Sequence, residues 1–509
     1  MATGKGSMGS RVIKNIFSTW GMYSTITAIR FFLTPFFIHK LGDSQYGIWV
    51  LILSLIGYME LLNLGLNTAN VRYLSKYFEL SDHKSANEIF NSGLFIFLIL
   101  CVGTSLLILS IAPFLGSLFS FMDNRIYMVI FVIAGLNLAL EFVFYAFSAI
   151  LSAEQKFFEV NIITTIIFIA RSIAAVILLL NGYQLMAIVL NQTFFNVVRG
   201  LTLSVYSLRS APNLRIHLGS VRKNALVKIM NFSFYIFIIN ICKKINLSIW
   251  SIVIAIFMSP NAITFFAISN NLIIYLQNFI LAISKVLIPR FSQLDAKDNE
   301  QKIQEYYLSF TRISLIIAIP VIFIFMFYGD SFIALWIGDE YAPVSGTILM
   351  ILSIGALSQL SQSTTHSLLK ATGKHKVLSF FTVLESASIF ILSFFLIQTH
   401  GLVGLAYAYT IPLCIVNLTL IPIFTCRVYR IDLWEYYTKY LLKNVFSLIP
   451  VLLIYYLLKK DIVDSIPMFG FLAVMIIGVF FVSSYLFTLD LRERQRLNYL
   501  VKADRMGLG

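Results

Sequence analysis

Charge is what this chain has least of. Only 12% of its 509 residues are Asp, Glu, Lys or Arg, against about 25% in soluble globular chains, which excludes a soluble domain as its main body. Cysteine is equally scarce. Cys101, Cys242, Cys414 and Cys426 all sit in apolar stretches without metal-ligand spacing, so a disulfide scaffold and a metal site are excluded and buried small hydrophobes are expected. Long polar segments are missing too. The longest loop expected outside, about residues 329–344, carries no metal cluster, nucleotide loop or catalytic constellation, which argues against an enzyme. Residues 1–10 are small and polar and run through Arg11 and Lys14 straight into a full-length apolar span. That span is therefore expected to be retained rather than cleaved as a signal.

What the chain has is apolar length. Hydrophobic residues make up 59% and the mean hydropathy is +0.85. Runs long enough to cross about 30 Å of hydrocarbon recur from residue 14 to residue 489. Fourteen spans are expected: 14–38, 45–68, 89–113, 126–150, 157–180, 184–207, 228–257, 262–286, 308–328, 345–368, 376–398, 402–426, 438–458 and 466–489. The fold class is an all-α polytopic membrane protein. With the N-terminus in the cytoplasm, 28 of the 38 basic residues fall in inner segments and four (Lys40, Arg125, Lys459, Lys460) in outer loops. The positive-inside rule then places both termini in the cytoplasm. The net charge of +14 is spread over short inner loops, where attraction to anionic lipid accounts for it without nucleic acid.

The chain repeats itself at an offset of about 218 residues. NVRYLSKY around Arg72 matches IPRFSQL around Arg290, ILSAEQK at 150–156 matches LLKATGK at 368–374, and the segment around Gly182 matches that around Gly401. Six helices per repeat predict two lobes related by a pseudo-twofold axis along the membrane normal, with a cavity between them. The expected order is a tail at 1–13, a six-helix lobe at 14–209, a cytoplasmic linker at 210–227, a second lobe at 228–430, two extra helices at 431–489 and a tail at 490–509.

Six bases remain inside the spans: Arg30, Arg171, Arg199, Lys243, Lys244 and Arg312. A charge at bilayer depth is costly and marks a pathway or a partner. At 1.5 Å rise per residue, Arg30 lies 16 residues, roughly 24 Å, from the inner end of its helix, while Arg312 lies four residues in and is expected to snorkel to the inner surface. The repeat maps Arg30 to position 248, one turn from Lys244, so these two are expected to be quasi-symmetric partners. The candidate binding set for an anionic cargo is thus Arg30, Lys243, Lys244, Arg171 and Arg199. Three acids, Glu60, Glu141 and Glu385, also lie at depth. They either pair with Arg30, Arg171 or Arg199, or couple transport to an ion gradient through a desolvated carboxylate. No catalytic residue, metal ligand or cofactor is expected. Trp20, Tyr23 and Tyr46 are positioned to stack on sugar rings.

The stretch LGDSQYGIWVLILSLIGYMELLNLGLNTANVRYLSKY (residues 41–77), with IPRFSQL at 288–294 and GLVGLAYAY at 401–409, resembles the polysaccharide biosynthesis family of Wzx-type oligosaccharide-lipid flippases. That family is related to multidrug-extrusion (MATE) transporters and lipid II flippases. The resemblance covers residues 12–430. It implies a multi-pass transporter of the bacterial cytoplasmic membrane, working by alternating access. Its cargo would be an undecaprenyl-pyrophosphate-linked oligosaccharide of O-antigen, capsule or exopolysaccharide type, with a proton or sodium gradient as a source of coupling. Membrane lipid, a glycan polymerase and chain-length machinery are the implied partners. A MATE-like exporter of small molecules and a membrane glycan polymerase are the alternatives. A cavity for cationic drugs would favour carboxylates, whereas bases outnumber acids at depth.

Overall fold

The computed structural model describes residues 4–63, 65–285, 287–295, 297, 299–458 and 464–488. The side chains of 4–13, 16–17, 218, 231–247, 281–283, 285, 289, 375, 439–441 and 458 lie outside the description. The described chain is built from helices, with two compact units, residues 1–264 and 265–509.

In the first unit the α-helices are α1 (Gly4–Met59), α2 (Leu66–Glu79), α3 (His83–Ile111), the one-turn α4 (Leu115–Leu118), α5 (Arg125–Ala153), α6 (Phe157–Leu180), α7 (Leu185–Ser210) and α8 (Lys223–Phe257). α1 is two helices in one run, broken at Gly42 (φ 76°). Phe37 and Trp49, twelve residues apart, bring their ring centroids to 5.6 Å. A straight helix would separate them by about 18 Å, so the chain folds back there. α8 runs as one helix and packs against α1, α2 and α3. The first unit therefore ends one helix later than the 210–227 linker.

α9 (Pro260–Lys285) leads into the second unit. There follow α10 (Leu287–Asp295), α11 (Glu300–Trp336), α12 (Ala342–Ser361), α13 (Ser363–Ala371), α14 (His375–Ile415), α15 (Ile421–Val428), the short α16 (Leu433–Glu435) and α17 (Lys443–Phe446), α18 (Ile449–Leu458) and α19 (Ile466–Phe487). α14 also folds back at a glycine, Gly401 (φ 58°). Two of its backbone stretches then meet so closely that a Cβ on Gly404 would collide with the Leu396 carbonyl. Apolar packing of Leu315, Ile319, Phe323, Ile476 and Phe480 joins α11 to α19.

Ten of the described helical stretches are apolar and long enough to span a membrane, against fourteen expected. Two of the ten, Ser18–Asn63 and Lys376–Val428, contain the glycine reversals and each takes in two expected spans. α7 falls outside the ten. It carries Asn191, Gln192, Asn196 and Arg199 along its length.

The repeat is visible in matching turns. Gln155 (φ 57°) and Gly373 (φ 73°) are 218 residues apart and both adopt the left-handed conformation. Each closes its helix in the same way. Glu154 N donates to Ile150 O and Thr372 N to Leu368 O, both at 3.0 Å, while Gln155 N reaches Ser152 O and Gly373 N reaches Lys370 O. Gly182 (φ 83°) and Gly401 are a second such pair.

Candidate functional site

The first unit gathers three of the expected cations on adjoining helices. α1 and α6 are tied at one end: Asn15 Nδ2 donates to Gln155 O (2.9 Å), Phe158 N donates to Asn15 Oδ1 (3.1 Å), and Asn161 Nδ2 donates to Ser18 Oγ and Thr19 Oγ1 (3.0 and 2.9 Å). From this anchorage Arg30 is about 18 Å up α1 and Arg171 about 15 Å up α6 at helical rise. They meet at one ring. The Arg30 guanidinium carbon lies 5.7 Å and that of Arg171 4.7 Å from the Phe168 centroid. Cation–π attraction of this kind contributes about 0.5–2 kcal/mol depending on solvation. Among the described residues, neither Arg30 nor Arg171 forms an ion pair. Arg30 is exposed and Arg171 half-buried.

The third cation is held differently. Arg199 on α7 is ion-paired to Glu141 on α5, and both are about a quarter exposed. Gly200 makes this pairing reachable, because a Cβ there would collide with the Phe144 ring of α5. Arg199 Nε is buried without an acceptor. One turn beyond Glu141, the Tyr145 hydroxyl donates to Glu60 Oε1 at 3.4 Å. Asn191 Nδ2 donates to Arg171 O (3.0 Å), fixing α7 against α6. Arg30, Arg199 and Glu141 all lie within electrostatic reach of Arg171. Three guanidinium groups and two carboxylates leave the cluster with one excess positive charge, at a pair of arginines that an anion can bridge.

The remaining expected residues separate from this cluster. Glu385, in α14 of the second unit, is 6% exposed and accepts a 3.0 Å hydrogen bond from Asn417 Nδ2. Asn417 lies in a π-helical turn, Val416–Leu420, a feature frequent at functional sites. Lys243 and Lys244 are within α8, but their side chains lie outside the described residues, and with them the proposed match to Arg30. Two expectations need correction. Arg312 does not snorkel: it is 1% exposed, three turns into α11 and covered by the helices packed on it. Tyr46 is 5% exposed and packed on Trp49, so it offers no stacking face, whereas Trp20 and Tyr23 are exposed at 41% and 57%.

Sequence reasoning missed one further property. At the 218 offset, Glu141 becomes Gln359, Arg199 becomes Asn417, Arg30 becomes Ser248 and Arg171 becomes Ile389. The charged cluster belongs to the first repeat, and uncharged residues, two of them amides, stand at these positions in the second, where Gln277 Nε2 donates to Gln359 Oε1 at 2.8 Å. Direct alignment of the two repeats carries that signal. The second unit also has an apolar groove of about 430 Å³ on α18 and α19, lined by Pro450, Met475, Val479, Val482, Leu486 and Phe487 among others.

The helical architecture, with ten apolar stretches long enough to span a membrane among the described residues, has the fold of a polytopic membrane protein like the lipid II flippase MurJ and MATE transporters. The lipid II flippase MurJ in an inward closed conformation superposes with a TM-score of 0.73 at 13% identity, over 93% of this chain and 98% of that one. An inward-facing multidrug resistance MATE transporter follows at 0.63 and 13%, over 81% and 94%. Residues 41–346 match the family described as "Polysaccharide biosynthesis protein", and the chain belongs to that family. It is 24% identical to a "Putative O-antigen transporter" of Shigella flexneri over 82% of this chain and 99% of that protein. It is 22% identical to a "Probable low-salt glycan biosynthesis flippase Agl15" of Haloferax volcanii over 75% and 76%.

Proposed function

We propose that the protein is a flippase for lipid-linked oligosaccharides, a transporter and not an enzyme. The observation that carries this reading is the Arg30–Phe168–Arg171 arrangement. Two guanidinium groups share one ring with no carboxylate between them, and a pyrophosphate bridging them gains charge-assisted, bidentate hydrogen bonds. The relatives in Shigella flexneri and Haloferax volcanii support a glycan cargo. We assign the lipid as undecaprenyl pyrophosphate, its headgroup taken up by Arg30 and Arg171 with Arg199, and Lys243 or Lys244 in a supporting role. Movement is by alternating access across the bacterial cytoplasmic membrane, with both termini in the cytoplasm, an orientation that the distribution of basic residues supports. Glu385 is the acid we assign to coupling with a proton or sodium gradient. Polymerase and chain-length proteins would receive the product.

Complementation of a flippase-null strain tests this reading. Wild-type chain should restore surface glycan, and the Arg30→Ala, Arg171→Ala double variant should insert in the membrane without restoring it. Normal surface glycan from the double variant overturns the assignment.

A further inference from the structure

A second groove of about 430 Å³ lies on α6 and α7, lined by Ile163, Leu201, Thr202, Val205, Tyr206 and Arg209. Leu201 and Val205 are 54% and 50% exposed, so this apolar wall faces outward from the unit. From Leu201 to Arg209 is eight helical residues, about 12 Å. The wall ends in an aromatic ring and then a base. Arg209, in the last turn of α7, is exposed, and among the described residues it makes no ion pair. Lys156 stands 5.9 Å from the Tyr206 ring and is itself paired with Glu154 at 2.9 Å. Arg209 is therefore the base left for an outside anion.

We propose that this groove is a binding site for an anionic glycerophospholipid of the inner leaflet, one acyl chain against Ile163, Leu201 and Val205 and the phosphate on Arg209. Charge complementarity and depth select that occupant. A base at the membrane edge attracts anionic headgroups, and an amphipathic ring such as Tyr206 sits at headgroup level. The α18–α19 groove has no base in its lining, so it lacks the element that distinguishes this one. The site has a route to function. Arg199 is two positions from Leu201 on α7 and Arg171 is eight from Ile163 on α6, so a lipid wedged between these helices sets the spacing of two of the cluster's three cations. Binding rests on the groove alone; the effect on transport rests on the function proposed above.

Native mass spectrometry of the purified full chain, with phosphatidylglycerol or phosphatidylcholine added, tests the site. Wild type should retain phosphatidylglycerol about fivefold better than Arg209→Gln, the loss expected for one interfacial base. Arg209→Lys should keep most of the retention, and Val205→Trp, which fills the groove, should lower it with Arg209 intact. Phosphatidylcholine should bind both forms equally weakly. Equal phosphatidylglycerol retention by wild type and Arg209→Gln overturns the proposal, as does its displacement by a polyprenyl phosphate, which would make the groove a cargo site. Failure of the wild-type chain to restore glycan export in the flippase-null strain, with this lipid selectivity intact, counts against the flippase reading and leaves the lipid site standing.

Discussion

Arg30 and Arg171 share a single phenylalanine, Phe168, with their guanidinium carbons 5.7 and 4.7 Å from its centroid. The ring face attracts both cations but leaves their charge uncancelled. Each arginine lost to alanine removes about 1.5–3 kcal/mol of charged hydrogen bonding to a phosphate, so Arg30→Ala or Arg171→Ala should lower glycan export by about tenfold or more. Phe168→Leu keeps the volume and loses the ring's electrostatic face, and should lower export only a few-fold. Export per inserted molecule is the measurement. Wild-type export from both arginine variants removes the cluster from the mechanism.

The Arg199–Glu141 pair is expected to matter for stability as well as for charge. Removing one partner leaves the other poorly solvated, which costs 3–5 kcal/mol at a fully buried site. Both side chains here are about a quarter exposed, so the cost should be nearer 1–3 kcal/mol. Arg199→Ala and Glu141→Ala should each destabilise the detergent-purified protein, and the double variant should fall short of their sum. Thermal unfolding across this double-mutant cycle gives the coupling directly. Strict additivity would show that the pair contributes nothing.

Much of this architecture was legible from apolar length, because bilayer thickness leaves few options for a run of twenty apolar residues. The likeness of 150–156 to 368–374 was also readable as a segment match, but the left-handed turn at Gln155 was not, since only Gly373 is a residue type that announces such a turn. Arg312 was misjudged because its burial comes from neighbouring helices packed on α11, contacts that leave no signal along the sequence. Side-chain partners were out of reach for the same reason. Whether Arg199 is a free cation depends on Gly200 admitting Phe144, a contact between helices with no sequence periodicity.

Two glycines should respond to alanine for opposite reasons. Gly182 has φ +83° and nothing near its missing Cβ, so Gly182→Ala should cost about 1–2 kcal/mol, the penalty of a left-handed L-residue. Gly404 is ordinary in φ, but its Cβ would strike the Leu396 carbonyl. Gly404→Ala must open the reversal at Gly401 and should be the more damaging of the two. Comparing their unfolding temperatures tests this, and an equal loss contradicts the backbone collision.

Asp82 caps α3 by accepting from Ser85 N at 3.0 Å. Hydrogen bonds from Ser85 hold its carboxyl below the usual carboxylate value. A depressed folded pKa means the stabilisation is present above the unfolded pKa, about 3.9, and is lost as pH falls through the folded pKa. Hydrogen-exchange protection of the first turn of α3 should hold at pH 6–7 and weaken below about 4. Asp82→Asn keeps a cap and should abolish the pH dependence. Persistence of that dependence in Asp82→Asn would assign it to another group.

Glu385 offers the sharpest test of energy coupling. It is nearly buried in α14, bonded to Asn417, whose own Oδ1 is buried without a hydrogen-bond partner. Asn417 sits where the π turn Val416–Leu420 interrupts the regular helix, four residues after Leu413, whose carbonyl it also engages. A carboxylate and an unsatisfied amide oxygen beside a loosened backbone can accept a proton or a small cation, and occupancy would change the charge buried in the second unit. Glu385→Gln fixes the neutral form with little change of shape. Flipping in vesicles should then lose its acceleration by an imposed proton or sodium gradient, while slow equilibration down the cargo gradient continues. If Glu385→Gln still responds to the gradient as wild type does, Glu385 is a structural partner of Asn417 and coupling resides elsewhere.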